Sequence, residues 1–309
     1  MNDLPLISVL MPAYNVECYI EEAINSLLCQ SYKNIEIIAV DDCSTDSTFS
    51  KLQSLAAIDS RIKPFKKEYN SGIVDTLNIG LTYCSGCFIA RMDADDIAEK
   101  NRIELQYNFL LENSAVDIVG SATTTIDMFG NPIQVSNVPV GQKKISSTIA
   151  LFSPCFHIWL CNREIYDRLN GYRKLAPAED YDFLLRAQTA GFKIDNIPLP
   201  LMKIRCRDGN TADIAGLKQR KAHNYVLRLY LERIKKGSDT YSHENFERAV
   251  WFTQSEAKNY NKSISLIKSG FGKKSKLVRN IYFLRAALSS KWQFKYSLNR
   301  LLFKLKLMQ

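Results

Sequence analysis

A chain of 309 residues can form one large domain or two modest ones, each with a full core. At 46% hydrophobic and 24% charged, with few Gly and Pro, it has the composition of an ordinary globular protein, which excludes a disordered or low-complexity chain. The net charge of +9 is uneven: 13 of the 41 basic residues lie beyond Glu256, where no acid occurs, leaving 28 basic against 32 acidic residues in the remainder.

In chain order, "LISVLMPAYN" reads as a β-rich apolar run ending in a turn, and the next 17 residues carry Tyr19, Ile20, Ala23, Ile24, Leu27 and Leu28 at helical spacing. "IEIIAVDD" is a second buried strand closing in two acids. "STDSTFSKLQSLAAI" opens with N-cap residues and continues as a helix. A short strand and turn ("IKPFKKEYNSG"), a helix with a glycine stop ("IVDTLNIGLTYCSG") and a strand ("CFIARMDADD") follow. This alternation predicts a mainly parallel sheet covered by helices, with ligands at the carboxyl ends of the strands. Further on, "RIELQYNFLLEN" reads as a helix, "VDIVGSATTTID" as a strand and "EDYDFLLRAQTAG" as a helix with acids in its first turn. From Leu217 the pattern is helical, interrupted near residues 235–245 and 268–276. The expected division is a body over 1–210 and a helical region over 211–309.

Neither a basic-then-apolar leader nor a run of about 18 apolar residues occurs, so no secretory signal and no membrane-spanning helix are expected. Eight cysteines are scattered, mostly in apolar segments. "CSGC" has zinc-ligand spacing but lacks a second pair, so reduced, buried thiols are the reading.

Three strand ends carry polar clusters: Tyr14–Asn15, Asp41–Asp42, and Asp93, Asp95 and Asp96. Three carboxylates within four residues raise one another's pKa unless a cation sits among them. They form either a solvated turn with an N-cap or a site for Mg²⁺ or Mn²⁺ carrying substrate phosphate oxygens. A second acidic group, Glu179–Asp180 with Asp182, caps a helix or supplies a proton acceptor.

The ordered motifs "SVLMPAYN", "VDDCSTDST", "NSGIVDTLNIG", "ARMDADD", "GYR" and "AEDYDFLLR" resemble the inverting family 2 glycosyltransferases of the GT-A fold over residues 6–206. The resemblance implies a Rossmann-like α/β body that binds a nucleotide sugar, with UDP favoured. It assigns Pro12, Ala13, Tyr14 and Asn15 to the nucleobase pocket, Asp42 to the uracil N–H, and Asn70 and Gly72 to the nucleoside. It further implies a metal held by Asp95 and Asp93, with Asp93 and Ala94 beside the donor sugar and Asp96 as support or cap. Arg102 then supports this loop or lies at the surface. Asp180, beside Glu179, becomes the general base. His157 is either on the acceptor side or simply packed. The Gln-x-x-Arg-Trp motif of processive relatives is missing, so one sugar is transferred per encounter.

The tail places Leu277, Ile281, Leu284, Leu288, Trp292, Leu298, Leu302 and Leu305 near one helical face, with Lys295 interrupting it. A basic amphipathic helix suits an anionic membrane surface; packing on the body is the alternative. No nucleic-acid-binding module accompanies the charge. With the resemblance, these features give a metal-dependent glycosyltransferase on the cytoplasmic face of the membrane, acting on a lipid-linked saccharide of a surface polysaccharide. The rival from another class is a silent nucleotide-sugar-binding scaffold of a glycan assembly complex.

Overall fold

The computed structural model describes residues 4–207 and 216–308. The alternation appears as β1 (Ile7–Ala13), α1 (Ile20–Leu28), β2 (Ile35–Asp41), α2 (Thr48–Ala56), β3 (Ile62–Lys66), α3 (Ile73–Tyr83) and β4 (Phe88–Arg91). β1 and β2 are buried along their whole length, which is why both are mostly apolar, with only Ser8 in β1 and Glu36 and Asp41 in β2 as buried polar residues. β2 and β4 flank β1 in parallel, and β3 lies outside β2. β5 (Ile97–Ala98), α4 (Arg102–Glu112), β6 (Ile118–Ile126), β7 (Pro132–Val135), α5 (Gln142–Thr148), β8 (Leu160–Asn162), α6 (Arg163–Leu169), α7 (Glu179–Thr189) and β9 (Ile194–Arg205) follow. The sheet order is β3-β2-β1-β4-β8-β6-β9-β5, with β7 beside β6. β8 runs antiparallel to β4 and β6, while β9 runs parallel to β6, so the sheet is mainly parallel as expected.

Strand alternation sends side chains to two cores. Leu10, Ile38 and Ile89 pack on one face with Leu77, Trp159, Ile165 and Phe183. Val9, Ile37 and Ala90 pack on the other with Ile24, Leu27 and Ile103. Each fully buried Leu or Ile contributes about 1.5–3 kcal/mol. α8 (Gly216–Lys236) and α9 (His243–Val250) insert Tyr225, Val226, Leu229, Phe246 and Val250 into the first core. These helices therefore share the body's core; the expected boundary at 210/211 lies outside the described residues.

α10 (Gln254–Phe271), α11 (Lys276–Ser289) and α12 (Lys291–Met308) complete the chain. α10 opens with a reciprocal capping box between Thr253 and Glu256. The single stripe expected of the tail is broken: Ser290 is extended, at φ −146° and ψ 128°, and separates α11 from α12. Leu277, Ile281, Leu284 and Leu288 stay exposed on α11. Trp292 instead turns inward and donates from Nε1 to Glu256 Oε1 at 3.2 Å. On α12 the exposed apolar line is Phe294, Leu298, Leu301, Leu302 and Leu305. The other side of α12 packs Tyr296 and Phe303 edge-on against Phe152.

All eight cysteines are free, but Cys18, Cys29, Cys87 and Cys206 are exposed, so the expectation of buried thiols holds only for Cys84, Cys155 and Cys161, with Cys43 intermediate. Among the described residues, no helix is long and apolar enough to cross a membrane.

Candidate active site

The polar ends of β1 and β2 are stapled together. Asp42 N donates to Ala13 O at 2.8 Å, Asn15 N donates to Ser44 Oγ at 3.0 Å, and Asn15 Oδ1 accepts from Thr45 N at 2.9 Å. Asn15 adopts φ 49°, a left-handed conformation that Asn tolerates. Tyr14 is left 44% exposed at the strand end, whereas Ala13 and Pro12 are buried beneath it.

Asp42 Oδ1 accepts from Lys67 Nζ at 2.5 Å and Ser71 N at 3.0 Å, and its Oδ2 accepts from Gly72 N at 2.9 Å. The residue given to the nucleobase thus also anchors the loop between β3 and α3. Gly72 sits at φ 86°, and a Cβ there would meet nothing within 4 Å. Its backbone conformation, rather than lack of space, calls for glycine. Asn70 is exposed on the same loop.

At the end of β4 the chain supplies cations among its own carboxylates. Arg91 Nη1 pairs with Asp93 Oδ1 at 2.5 Å, and Arg207 Nε with Asp95 Oδ2 at 2.7 Å. His157 Nε2 lies 3.0 Å from Asp93 Oδ2 and 3.6 Å from Asp96 Oδ2. Arg205 N donates to Asp96 Oδ1 at 2.9 Å, and Arg205 Nε to the Asp95 carbonyl at 2.9 Å. Burial opposes ionisation of Asp93, but Arg91 and His157 outweigh it and hold the carboxyl far below the usual range. Burial pushes Asp96 up to about 6, the neighbouring Asp95 and Asp93 adding to the rise against His157. Burial also raises Asp95, together with Asp93 and against Arg207. Burial favours neutral His157, yet Asp93 and Asp96 carry it up to about 10.

Asp93, Asp96 and His157 bring ligand atoms within 4.8 Å of one another. Asp96 Oδ2 is buried without a hydrogen-bond partner among the described residues. An orphaned carboxylate oxygen facing a second carboxylate and an imidazole fits a divalent cation. The sequence reading named Asp95 with Asp93; in the fold Asp95 faces Arg207 while Asp96 and His157 join Asp93. Ala94 is 2% exposed and packs in the core, so its side chain does not face the crevice.

Glu179 and Asp180 open α7, where Asp180 Oδ1 accepts from Tyr181 N at 2.7 Å. Burial, then the Asp180 charge, raises Glu179 to about 7, and the charges of Arg91 and Asp93 also act on it. The second acidic group therefore shares one electrostatic environment with the first. Asp182, by contrast, is fully buried and pairs with Arg186 at 2.7 Å, which in turn holds the carbonyls of Leu169 and Gly171. That role is structural.

The structure decides one alternative left open by the sequence, the place of Arg102. Arg102 is not at the surface: it is fully buried and donates from Nη2 to Arg91 O at 2.7 Å and Ile158 O at 2.8 Å, tying the Asp-bearing strand end to the His157 segment. His157 lies beside the acidic cluster. Arg91, Arg205 and Arg207 were missed altogether. Arg91 lies inside the quoted motif, but the Arg207–Asp95 pair spans 112 positions and leaves no local signal.

Residues 8–169 match the family model described as Glycosyl transferase family 2. An uncharacterized glycosyltransferase of Haemophilus influenzae is 33% identical over 254 residues, covering 76% of this chain and 77% of the relative. The UDP-Glc:alpha-D-GlcNAc-diphosphoundecaprenol beta-1,3-glucosyltransferase WfgD of Escherichia coli is 40% identical over 116 residues, covering 38% of this chain and 45% of the relative. Among solved structures, residues 1–349 of Staphylococcus aureus TarS in complex with UDP-GlcNAc superpose with a TM-score of 0.61 at 23% identity, covering 92% of this chain and 80% of that one.

Proposed function

The chain belongs to glycosyl transferase family 2, and on that premise we propose that it transfers a sugar from a UDP donor to a lipid-linked saccharide, inverting the anomeric centre, in the assembly of a surface polysaccharide. The observation that carries this reading is the cluster at the end of β4, where Asp93, Asp96 and His157 bring ligand atoms within 4.8 Å of one another. The donor and acceptor substrate classes take support from the WfgD likeness.

Tyr14 offers an exposed ring to the base, and Asp42 Oδ2, with one donor among the described residues, keeps a lone pair for an imide N–H. Asp93, with Asp96 and His157 or with Asp95, would hold Mn²⁺ or Mg²⁺, which when bound neutralises charge on the leaving diphosphate. Asp180 takes the proton of the acceptor hydroxyl as that oxygen bonds to the sugar C1 and the C1–O bond to the diphosphate breaks. Displacement from the opposite face turns an α-linked donor into a β-glycoside. Arg91 and Arg207 add fixed positive charge at the same strand end.

The exposed Leu line of α11 and its neighbouring cations are assigned to the anionic surface of the cytoplasmic leaflet. The test is UDP release from a panel of UDP-sugars with a synthetic saccharide-diphospho-lipid acceptor. Acceptor-dependent release with an inverted product supports the reading, and UDP binding without turnover on any donor favours the scaffold.

A further inference from the structure

Away from the strand ends, α7, α8 and α12 enclose a cleft. Its lining includes Tyr181, Arg220, His223, Trp292, Lys295 and Tyr296, and among the described residues no carboxylate lines it. Arg220 and Lys295 form no ion pair among the described residues, and two such cations in a cleft walled by aromatic rings suit an anion carried on something with apolar or sugar faces.

Arg220 is built for this. Its guanidinium lies over the Tyr296 ring, 3.4 Å from the centroid, while its Nε is buried with no hydrogen-bond partner among the described residues. A buried charged donor left unmade is costly, and a phosphate oxygen satisfies it. Lys295 Nζ donates to Asn224 Oδ1 across the same cleft and keeps two further donors. The position fits as well. Tyr181 directly follows Asp180, and the Asp180 charge acts on His223, whose pKa burial lowers. On α12, Lys295 and Tyr296 face the cleft while Phe294, Leu298 and Leu301 stay exposed and apolar.

We propose that this cleft is a subsite for the phosphate ester of a lipid-linked acceptor, held by Arg220 and Lys295. It rests on the acceptor reading above and deepens it. The apolar outer face of α12 meets the lipid, the inner face receives the phosphate, and the saccharide extends past Tyr181 to Asp180.

The test titrates farnesyl diphosphate into the full chain in EDTA, which withholds metal from the Asp cluster, and follows calorimetry and intrinsic tryptophan fluorescence. The wild type is expected to bind, and Arg220→Met with Lys295→Met to weaken binding at least about tenfold, the loss expected of charge-assisted hydrogen bonds. UDP–Mn²⁺ affinity of the same variant stays unchanged. Arg220→Lys, with an unaltered melting curve, should retain part of the affinity and so separates ligand contact from folding. Farnesyl diphosphate that fails to bind the wild type, or binds the double variant equally well, overturns the proposal. Inorganic pyrophosphate matching farnesyl diphosphate overturns the lipid assignment. Loss of UDP binding in the wild type would sink the glycosyl-transfer reading alone, since this titration involves no nucleotide.

Discussion

The Asp95 carboxylate lies 2.7 Å from Arg207 Nε, so the second aspartate of the Asp-x-Asp motif is neutralised from within the chain. Arg91 does the same for Asp93, and His157 lies between Asp93 and Asp96. The crowding of three acids is thus relieved in part by protein cations, and a divalent ion reaching Asp95 competes with a guanidinium.

That competition is measurable. Arg207→Met frees Asp95, and Mn²⁺ affinity without nucleotide should rise about tenfold, the order of one charge-assisted contact. Electron paramagnetic resonance of free Mn²⁺ reads this directly. Unchanged affinity would mean that Asp95 takes no part in holding the ion.

Asp180→Asn keeps the shape of the side chain and removes the proton acceptor. Turnover should fall by about 10²- to 10⁴-fold while UDP affinity stays unchanged. Near-wild-type turnover would return the role of base to another group.

Glu179 gives a stability signature. Burial first, then Asp180, raises it from an ordinary 4.5 to about 7. Between these values the folded chain binds more protons than the unfolded one. Its contribution is therefore complete below 4.5 and is lost as pH rises through about 7. Glu179→Gln should flatten this slope, with a gain on the order of 2 kcal/mol over wild type above neutrality. Denaturant melts across the window check it; parallel curves for both proteins would contradict the burial argument.

Vesicle flotation tests the tail. The wild type should float with phosphatidylserine or phosphatidylglycerol vesicles and less so at high salt. Replacing Leu277, Ile281, Leu284 and Leu288 with Ser should weaken flotation, with little change in melting temperature since all four are exposed. Equal flotation by both proteins would show that these four side chains do not contact lipid.

The parallel body was legible because buried strands such as β1 and β2 have no solvent-exposed face and are mostly apolar, and their helices carry clear apolar spacing. Asp93 and Glu179 were legible as acids at element ends. The cations were not: Arg207 and His157 reach the cluster from distant segments, and only tertiary packing brings them there. The burial of the Ala94 side chain was not legible either, because a motif position says nothing about which way a side chain points. The tail misled because one serine, at Ser290, resets the helical phase that joined Leu288 to Trp292.

The most direct test of the central claim is calorimetric titration of UDP with and without Mn²⁺. Saturable binding that requires Mn²⁺ in the wild type and is lost in Asp93→Ala is the predicted result. A folded protein that binds no UDP, or binds it equally well in EDTA, would contradict the assignment of the Asp93 cluster to a metal–diphosphate.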